Sequence, residues 1–190
     1  MGILLFDFWG DNLFLIFSET KLEGAYIIEP EKIEDERGFF ARSWDSKVFE
    51  KKGLNSKLVQ CSISYNKKKG TLRGPHYQIP PYEEDKLVRC TSGKIFDVII
   101  DLRKESKTFK EWLSVELSKE NYRMLYIPKG FAHGFQTLED NTEIFYQISE
   151  FHMSEYYRGV RWDDPTFNIE WPLKISVISK KDSSFELFKK

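Results

Sequence analysis

Residues 112–118 read WLSVELS, and the alternation in this stretch decides the fold class. Leu113, Val115 and Leu117 share one face of an extended chain, and Ser114, Glu116 and Ser118 share the other face. Successive side chains of a β-strand point to opposite sides of the sheet. The pattern therefore predicts an antiparallel strand with one buried face and one solvated face.

Other stretches repeat this period of two. Residues 58–64, LVQCSIS, and residues 142–149, TEIFYQIS, alternate in the same way. Residues 94–103, KIFDVIIDLR, place Asp97 in the middle of an otherwise apolar strand. Turn signals rich in glycine and proline separate these runs. Many short strands without helical crossovers predict an all-β sandwich or barrel.

One short helix and a single domain complete the predicted organisation. Residues 45–53, DSKVFEKKG, offer Asp45 as an N-cap and Gly53 as a C-terminal stop. A length of 190 residues fits one domain over residues 1–190. Residues 1–12 lack a basic leading region, so we expect an extension outside the domain rather than a signal peptide or a membrane span.

Charge and cysteine content exclude several classes of function. The formal net charge is -1, which provides no general basic field for a nucleic acid or an anionic membrane. We therefore predict neither as a partner. Cys61 and Cys90 have no zinc or redox spacing. They are predicted to be reduced, buried strand residues, which favours a cytoplasmic protein.

The three histidines are the first candidates for chemistry. His76 lies in GTLRGPHYQ (70–78), and His133 lies in IPKGFAHGF (127–135), which has the Pro-x-Gly-x-x-His pattern of cupin jelly rolls. Metal-binding cupins usually supply a His-x-His pair, whereas a tyrosine and a glutamine follow His76. We therefore predict no metal and no other cofactor. His152 is predicted to be a loop residue without a partner.

From Ile27 to Asp182 the sequence resembles the dTDP-4-dehydrorhamnose 3,5-epimerases, a nucleotide-sugar branch of the cupins. The resemblance implies a cupin-like jelly roll and a nucleoside-diphosphate 4-keto-6-deoxy sugar as substrate. It also implies a homodimer with an exchanged N-terminal strand. Six blocks in the same order support it: DERGFFARS (35–43), QCSISYNKKKGTLRGPHYQ (60–78), KLVRCTSGKIFDVIIDLR (86–103), IPKGFAHGF (127–135), EIFYQISEF (143–151) and RWDDPTFNIEWP (161–172).

The resemblance implies four catalytic residues. His76 is the base that removes a proton next to the ketone, and Asp164 orients and stabilises its imidazolium. Tyr146 is the proton donor, and Lys86 stabilises the enolate. A histidine with a pKa near 6.5 suits this chemistry. Each position also has a structural interpretation: Tyr146 as a core residue, Asp164 as a turn residue before proline, and Lys86 as a solvated lysine.

The resemblance also implies how the nucleotide is bound. Arg73 and Arg37 contact the diphosphate, with Arg37 supplied by the partner subunit. Phe151 stacks on the base, and Gln60 contacts the base or the sugar. Guanidinium groups suit phosphate oxygens because they donate two parallel hydrogen bonds. The other implied binding residues are Phe40, Arg42, Ser62 and His133.

Two of these positions depart from the family pattern. Arg42 stands where a glutamate is usual, and Ser62 stands where an asparagine is usual. Exchange of a carboxylate for a guanidinium changes which edge of a base can be recognised. CDP and GDP therefore remain alternatives to dTDP as the carrier.

The predicted reaction is epimerisation at carbon 3, at carbon 5 or at both. A nucleotide-sugar 3,4-ketoisomerase is one alternative, although it would carry further histidines beside His76. A metal-dependent cupin oxygenase and a non-catalytic nucleotide-sugar-binding cupin are the others. The joint presence of all four catalytic residue types favours an enzyme over a binding protein.

Overall fold

The computed structural model describes residues 14–188 as a sandwich of two β-sheets, so the predicted extension at residues 1–12 lies outside the described residues. The prediction of an all-β, cupin-like jelly roll with a few short helices is confirmed. The elements are β1 (Leu15–Glu19), β2 (Tyr26–Pro30), β3 (Lys32–Asp35), β4 (Gly38–Ala41), α1 (Ser46–Lys51), β5 (Gln60–Asn66), β6 (Thr71–Gln78), β7 (Lys86–Ser92), β8 (Lys94–Asp101), β9 (Trp112–Ser118), β10 (Met124–Ile127), β11 (Phe131–Thr137), β12 (Thr142–Ile148), β13 (Tyr157–Gly159), β14 (Val177–Ile178) and α2 (Lys180–Ser183).

The two sheets are built from strands that are far apart in the chain. The first sheet has the order β1-β2-β10-β7-β12-β5, and the second has the order β13-β6-β11-β8-β9. Strands β3 and β4 form a separate hairpin. Because most neighbours are not consecutive in sequence, residues from five or more strands can meet at one end of the sandwich.

The largest hydrophobic core lies between the two sheets. The predicted inner face of β9 contributes to it, with Val115 and Leu117 buried and Leu113 packed against the same cluster. Ile99 of β8 is also buried there. Asp97 lies on the same side of β8 and is 0% exposed. A buried carboxyl requires a polar partner, and that partner belongs to the site described below.

The predicted short helix is confirmed as α1. The Asp45 side chain caps it by accepting hydrogen bonds from the backbone N–H groups of Lys47 and Val48. Such a cap stabilises a helix by about 1 kcal/mol. Gly53, just after the helix, has φ +78°, a conformation that glycine adopts without strain. The helix buries Phe49 against the outer face of the first sheet, where its ring contacts Tyr126.

The C-terminal segment covers the outer face of the second sheet. Phe167 is buried there with Val160. Strand β14 then pairs in parallel with β6, with Val177 opposite Thr71. Helix α2 follows β14 directly and thus lies beside the middle of β6. This short parallel pairing brings residues near the C-terminus to the strand that contains His76.

The two cysteines differ in their surroundings. Cys90 is buried in the core between the sheets, as predicted. The prediction for Cys61 is wrong, because β5 is an edge strand and Cys61 lies on its exposed outer face beside Ile63. Within residues 14–188, no helix is long and apolar enough to cross a membrane. The single domain over residues 1–190 stays a prediction.

Candidate active site

A pocket of about 290 Å³ opens between the two sheets and contains most of the predicted site. Strands β5, β6, β7, β11 and β12 all contribute to its walls. Seven of the predicted residues line it: Gln60, Ser62, Arg73, His76, Lys86, His133 and Tyr146. Strand alternation explains why three residues of β5 line the pocket: Gln60, Ser62 and Ser64 share the inner face of the strand. Convergent polar groups in a concave site are what a small-molecule site requires.

His76 is paired with Asp182. Its Nε2 lies 2.7 Å from Asp182 Oδ1, and the Asp182 side chain is 7% exposed. The other carboxylate oxygen accepts a hydrogen bond from the Gly74 N–H at 3.3 Å. With Nε2–H donated to Asp182, Nδ1 is the ring nitrogen that can accept a proton. The pair therefore has the geometry of a base and the carboxylate that orients it.

The assignment of Asp164 as this carboxylate is wrong. Asp164 Oδ1 accepts a hydrogen bond from the Thr166 N–H at 2.8 Å, and Asp164 Oδ2 accepts one from the Phe188 N–H. Both oxygens are therefore used to hold the turn and the end of the described chain. Asp182 takes the position beside His76 because the β14–β6 pairing delivers α2 there.

Packing orients the His76 ring, and burial favours its neutral form. The ring contacts Tyr157, with centroids 4.9 Å apart, and Phe185, with centroids 5.8 Å apart. Burial lowers the pKa of His76, while the hydrogen bond and charge of Asp182 act in the opposite direction. Although burial acts to raise it, the hydrogen bond from His76 holds the pKa of Asp182 below its usual value. A neutral imidazole beside a carboxylate is the form that removes a proton.

Two glycines allow this arrangement. A Cβ at Gly74 would lie 2.6 Å from the His133 carbonyl oxygen, so only glycine permits the close approach of β6 and β11. Gly74 also has φ +81°. A Cβ at Gly159 would lie 2.1 Å from the Phe185 ring, which packs in its place. The register of β6 and β11 places His76 opposite His133. Between His133 and Phe135 the register shifts by one residue.

His133, Asp97 and Tyr146 form a second polar group in the pocket. His133 Nε2 lies 2.7 Å from Asp97 Oδ1, so the buried carboxyl on β8 has its partner. The Tyr146 ring packs edge-on against His133, with centroids 5.9 Å apart. Burial, with Asp97 nearby, raises the pKa of Tyr146 far above its usual value. Burial therefore favours the protonated phenol, which is the form that has a proton to donate.

Lys86 is not the solvated lysine of the alternative interpretation. Its side chain is 12% exposed, and Nζ lies 2.7 Å from Glu84 Oε1. A cation in such a partly desolvated pocket stabilises negative charge more strongly than one in water.

Of the predicted nucleotide-binding residues, Arg73 and Gln60 lie at the pocket. Arg73 is exposed, and its Nε donates a hydrogen bond to Asn66 Oδ1 at 2.7 Å. Gln60 Oε1 accepts a hydrogen bond from the backbone N–H of His152 at 2.7 Å. His152 is a loop residue as predicted, but its ring contacts Tyr157 and it lines the pocket.

Four of the predicted binding residues lie outside the walls of this pocket: Arg37, Phe40, Arg42 and Phe151. Arg37 is at the tip of the β3–β4 hairpin, where its guanidinium binds Asp35. Phe40 belongs to the same hairpin and is 49% exposed. Arg42 Nη1 lies 2.7 Å from Asp45 Oδ2, at the start of α1. Phe151 is 55% exposed and lies in sequence between Glu150 and His152, which line the pocket.

Sequence reasoning missed three side chains of the site: Asp182, Tyr157 and Glu84. Asp182 and His76 are 106 positions apart, so no spacing rule links them. Tyr157 and Glu84 lie at loop boundaries, where side-chain direction does not follow from periodicity. In residues 14–188, no three histidine, cysteine or acidic side chains converge as metal ligands would. The absence of a cofactor stays a prediction.

Known proteins are similar in sequence to this chain over most of its length. A sequence model of the family described as dTDP-4-dehydrorhamnose 3,5-epimerase matches residues 19–190. The dTDP-4-dehydrorhamnose 3,5-epimerase of Shigella flexneri is 46% identical over 171 residues, which cover 90% of this chain and 94% of that protein.

Solved structures show the same similarity. A dTDP-4-dehydrorhamnose 3,5-epimerase from Bacillus anthracis, with TDP and PPi bound, has a TM-score of 0.88 and 41% identity, covering 92% of this chain and 99% of that chain. A dTDP-6-deoxy-D-glucose-3,5-epimerase from Legionella pneumophila, in complex with dTDP-4-keto-L-rhamnose, has a TM-score of 0.86 and 38% identity, covering 92% and 93%.

The β-sandwich, its polar pocket and these relatives define an isomerase of the epimerase class. These matches extend over at least 90% of the chain at identities of 38–46%. The chain belongs to the dTDP-4-dehydrorhamnose 3,5-epimerase family.

Proposed function

We propose that the enzyme inverts carbon 3, carbon 5 or both of a nucleoside-diphosphate 4-keto-6-deoxy sugar. The ketone acidifies the protons on both neighbouring carbons, so inversion requires a base on one face and an acid on the other. The pairing of His76 with Asp182, in one pocket with Tyr146 and Lys86, is the observation that supports this proposal.

The proton steps follow from the chemistry of these groups. His76 Nδ1 takes the proton from carbon, and the electron pair of the C–H bond moves into the enolate. Lys86 stabilises the charge on the enolate oxygen, an effect of about 3 kcal/mol for a single donor. Tyr146 then delivers its proton to the opposite face of the carbon, and the C–H bond forms with inverted configuration. Exchange with solvent restores the neutral imidazole and the phenol.

We propose thymidine diphosphate as the carrier, because the similar proteins are named for dTDP sugars. Arg42 is one of the two residues that differ from the family pattern. Its guanidinium forms an ion pair with Asp45 at the start of α1, outside the pocket of its own chain. Ser62 remains the departure that lines the pocket. Arg73 would bind the diphosphate from β6. The two unpaired cysteines favour a cytoplasmic enzyme, and we propose no nucleic acid or membrane partner.

Proton exchange in D₂O tests the proposed reaction. The enzyme is incubated with dTDP-, CDP- and GDP-linked 4-keto-6-deoxy sugars, and proton NMR follows the signals of the protons on carbons 3 and 5. We expect deuterium at each inverted carbon with the dTDP sugar. A ketone that moves to carbon 3 would indicate a ketoisomerase. Binding without exchange would indicate a binding protein, and exchange only with CDP or GDP sugars would change the carrier.

We further propose a homodimer in which the β3–β4 hairpin reaches the partner's pocket. Arg37 lies at the tip of this hairpin with 78% of its side chain exposed, and the pocket of its own chain is walled by other strands. The outer face of the edge strand β5 exposes Ile63 (65%) and Tyr65 (51%). An apolar edge of this kind is suited to contact with a second copy.

Subunit complementation tests the exchanged hairpin. Arg37→Ala is expected to lower kcat/KM about 10–100-fold, because a charge-assisted contact to phosphate is lost. His76→Asn is expected to be inactive. If Arg37 acts across the dimer, subunit exchange between the two variants places both defects in one site and leaves the other site intact. The mixture should then recover about a quarter of wild-type activity.

The control is each variant mixed with itself under the same exchange conditions. If Arg37 acted within its own chain, every site of the mixed dimer would keep one defect. The mixture would then show only the mean activity of the two variants, and the exchanged hairpin would be refuted.

A further inference from the structure

Glu84 is a largely buried acidic residue of the pocket that the proton steps do not use. It precedes β7, lines the pocket, and has a side chain that is only 10% exposed. A carboxylate is costly to bury unless it has a charged or hydrogen-bonding partner. That partner is Lys86 Nζ at 2.7 Å. The position of Glu84 in the pocket is therefore explained by its ion pair with Lys86.

The loop that carries Glu84 is held at both ends. At the start of the loop, Gln78 Nε2 donates a hydrogen bond to the Tyr82 carbonyl oxygen at 2.8 Å. At its end, the Asp85 N–H donates to Ser149 Oγ at 2.8 Å, and the Asp85 side chain accepts a hydrogen bond from the Tyr126 hydroxyl at 3.0 Å. Because its neighbours are held, the Glu84 carboxylate is a fixed point rather than a mobile surface charge.

A fixed carboxylate matters because of the substrate's own charges. A lysine ammonium is a point charge on a flexible four-carbon stem, so it follows the strongest nearby anion. In the proposed complex that anion is the diphosphate, which Arg73 binds from β6. Without Glu84, the ammonium would be drawn toward the phosphates and away from the sugar ring. With Glu84 in place, the ammonium has an anchor beside His76 and Tyr146.

We propose that Glu84 is a positioning residue for epimerisation, which holds the Lys86 ammonium where charge develops on the enolate oxygen. The inference rests on the role of Lys86 in the proposed function. Glu84 acts through Lys86 and transfers no proton itself. Its removal should therefore impair the chemical step while leaving substrate binding intact or stronger, since a negative charge leaves a pocket that binds a diphosphate.

A double-mutant cycle tests this role. Glu84→Gln preserves size and hydrogen bonding but removes the charge, and we expect kcat to fall about 10–100-fold with an unchanged or lower KM, because a small misplacement of a catalytic group costs this much. Lys86→Met should lower kcat about 10²–10³-fold. Adding Glu84→Gln to Lys86→Met should cause less than about a twofold further loss, because the residue that Glu84 positions is already absent.

Two controls separate positioning from charge and from folding. Glu83→Gln removes the same charge from the adjacent residue, which is not part of the pocket wall, and should keep wild-type kcat. Glu84→Asp should recover part of the activity, because it restores the charge. Thermal unfolding of every variant identifies the folded fraction to which kcat refers.

The possible outcomes test the positioning role of Glu84 separately from the proposed epimerase function. Wild-type kcat in Glu84→Gln would overturn the positioning role, as would an equal loss in the Lys86→Met background. Wild-type kcat in Lys86→Met would instead refute the enolate role of Lys86, while proton exchange by the wild-type enzyme would still support epimerisation.

Discussion

Replacing His76 with asparagine is expected to abolish exchange of the substrate's carbon-bound protons. We expect kcat to fall by about 10⁴-fold or more, the upper end of the range for loss of a general base. An amide has no basic nitrogen, so the step that breaks the C–H bond loses its proton acceptor. Asparagine can still donate a hydrogen bond to Asp182, so the contact with α2 need not be lost. The measurement is proton NMR in D₂O together with the initial rate of product formation.

His152→Asn is the matched control for this prediction. His152 also lines the pocket and contacts Tyr157, but it lies in a loop and its backbone N–H, not its ring, makes the hydrogen bond to Gln60. We expect this variant to keep proton exchange. If His76→Asn exchanged protons at the wild-type rate, another residue would be the base and the assignment of His76 would fail.

Replacing Asp182 with asparagine is expected to have the second largest effect. The carboxylate orients the His76 ring and stabilises the imidazolium that forms when the proton is taken, and loss of such a carboxylate in a related pair of groups costs up to about 10⁴-fold in kcat. We expect a fall of about 10²–10⁴-fold with a small change in KM. Initial rates over a range of substrate concentrations measure both constants.

The same variant should change the dependence of activity on pH. His76 must be neutral to accept a proton, so kcat/KM rises with pH through the pKa of His76. Burial already lowers this pKa, and Asp182 acts to raise it. Asp182→Asn removes the raising influence, so the pKa of His76 should fall further. The acidic limb of the residual activity should therefore move to lower pH.

Asp164→Asn separates the two candidate carboxylates. Asp164 binds the backbone N–H groups of Thr166 and Phe188 and does not contact His76. Its replacement should lower the free energy of unfolding by about 1–3 kcal/mol, because two partly buried N–H groups lose an ionised acceptor. The folded variant should keep nearly wild-type kcat. A loss of activity in Asp164→Asn but not in Asp182→Asn would contradict the observed pairing.

Local patterns in the sequence were sufficient for the fold class and for the inner faces of β5 and β9, whereas the family resemblance implied Arg73, Lys86 and Tyr146 of the pocket wall. Alternation placed the inner face of β9 correctly and put Gln60, Ser62 and Ser64 on one side of β5. The cap at Asp45 was also predicted. These features depend on side-chain direction and hydrogen bonding within a few residues, so the sequence contains them directly.

Which of these groups interact depends on contacts between strands that are distant in the chain. Asp182 reaches His76 because two residues of β14 pair with β6, and this pairing leaves no periodic signal over a separation of 106 positions. Tertiary contacts likewise decide that Asp164 accepts a hydrogen bond from the Phe188 N–H and that Glu84 forms an ion pair with Lys86. The strands and the residue types available for proton transfer could be read from the amino-acid sequence. Their pairing was decided by the order of the strands, because that order sets which distant side chains meet in one pocket.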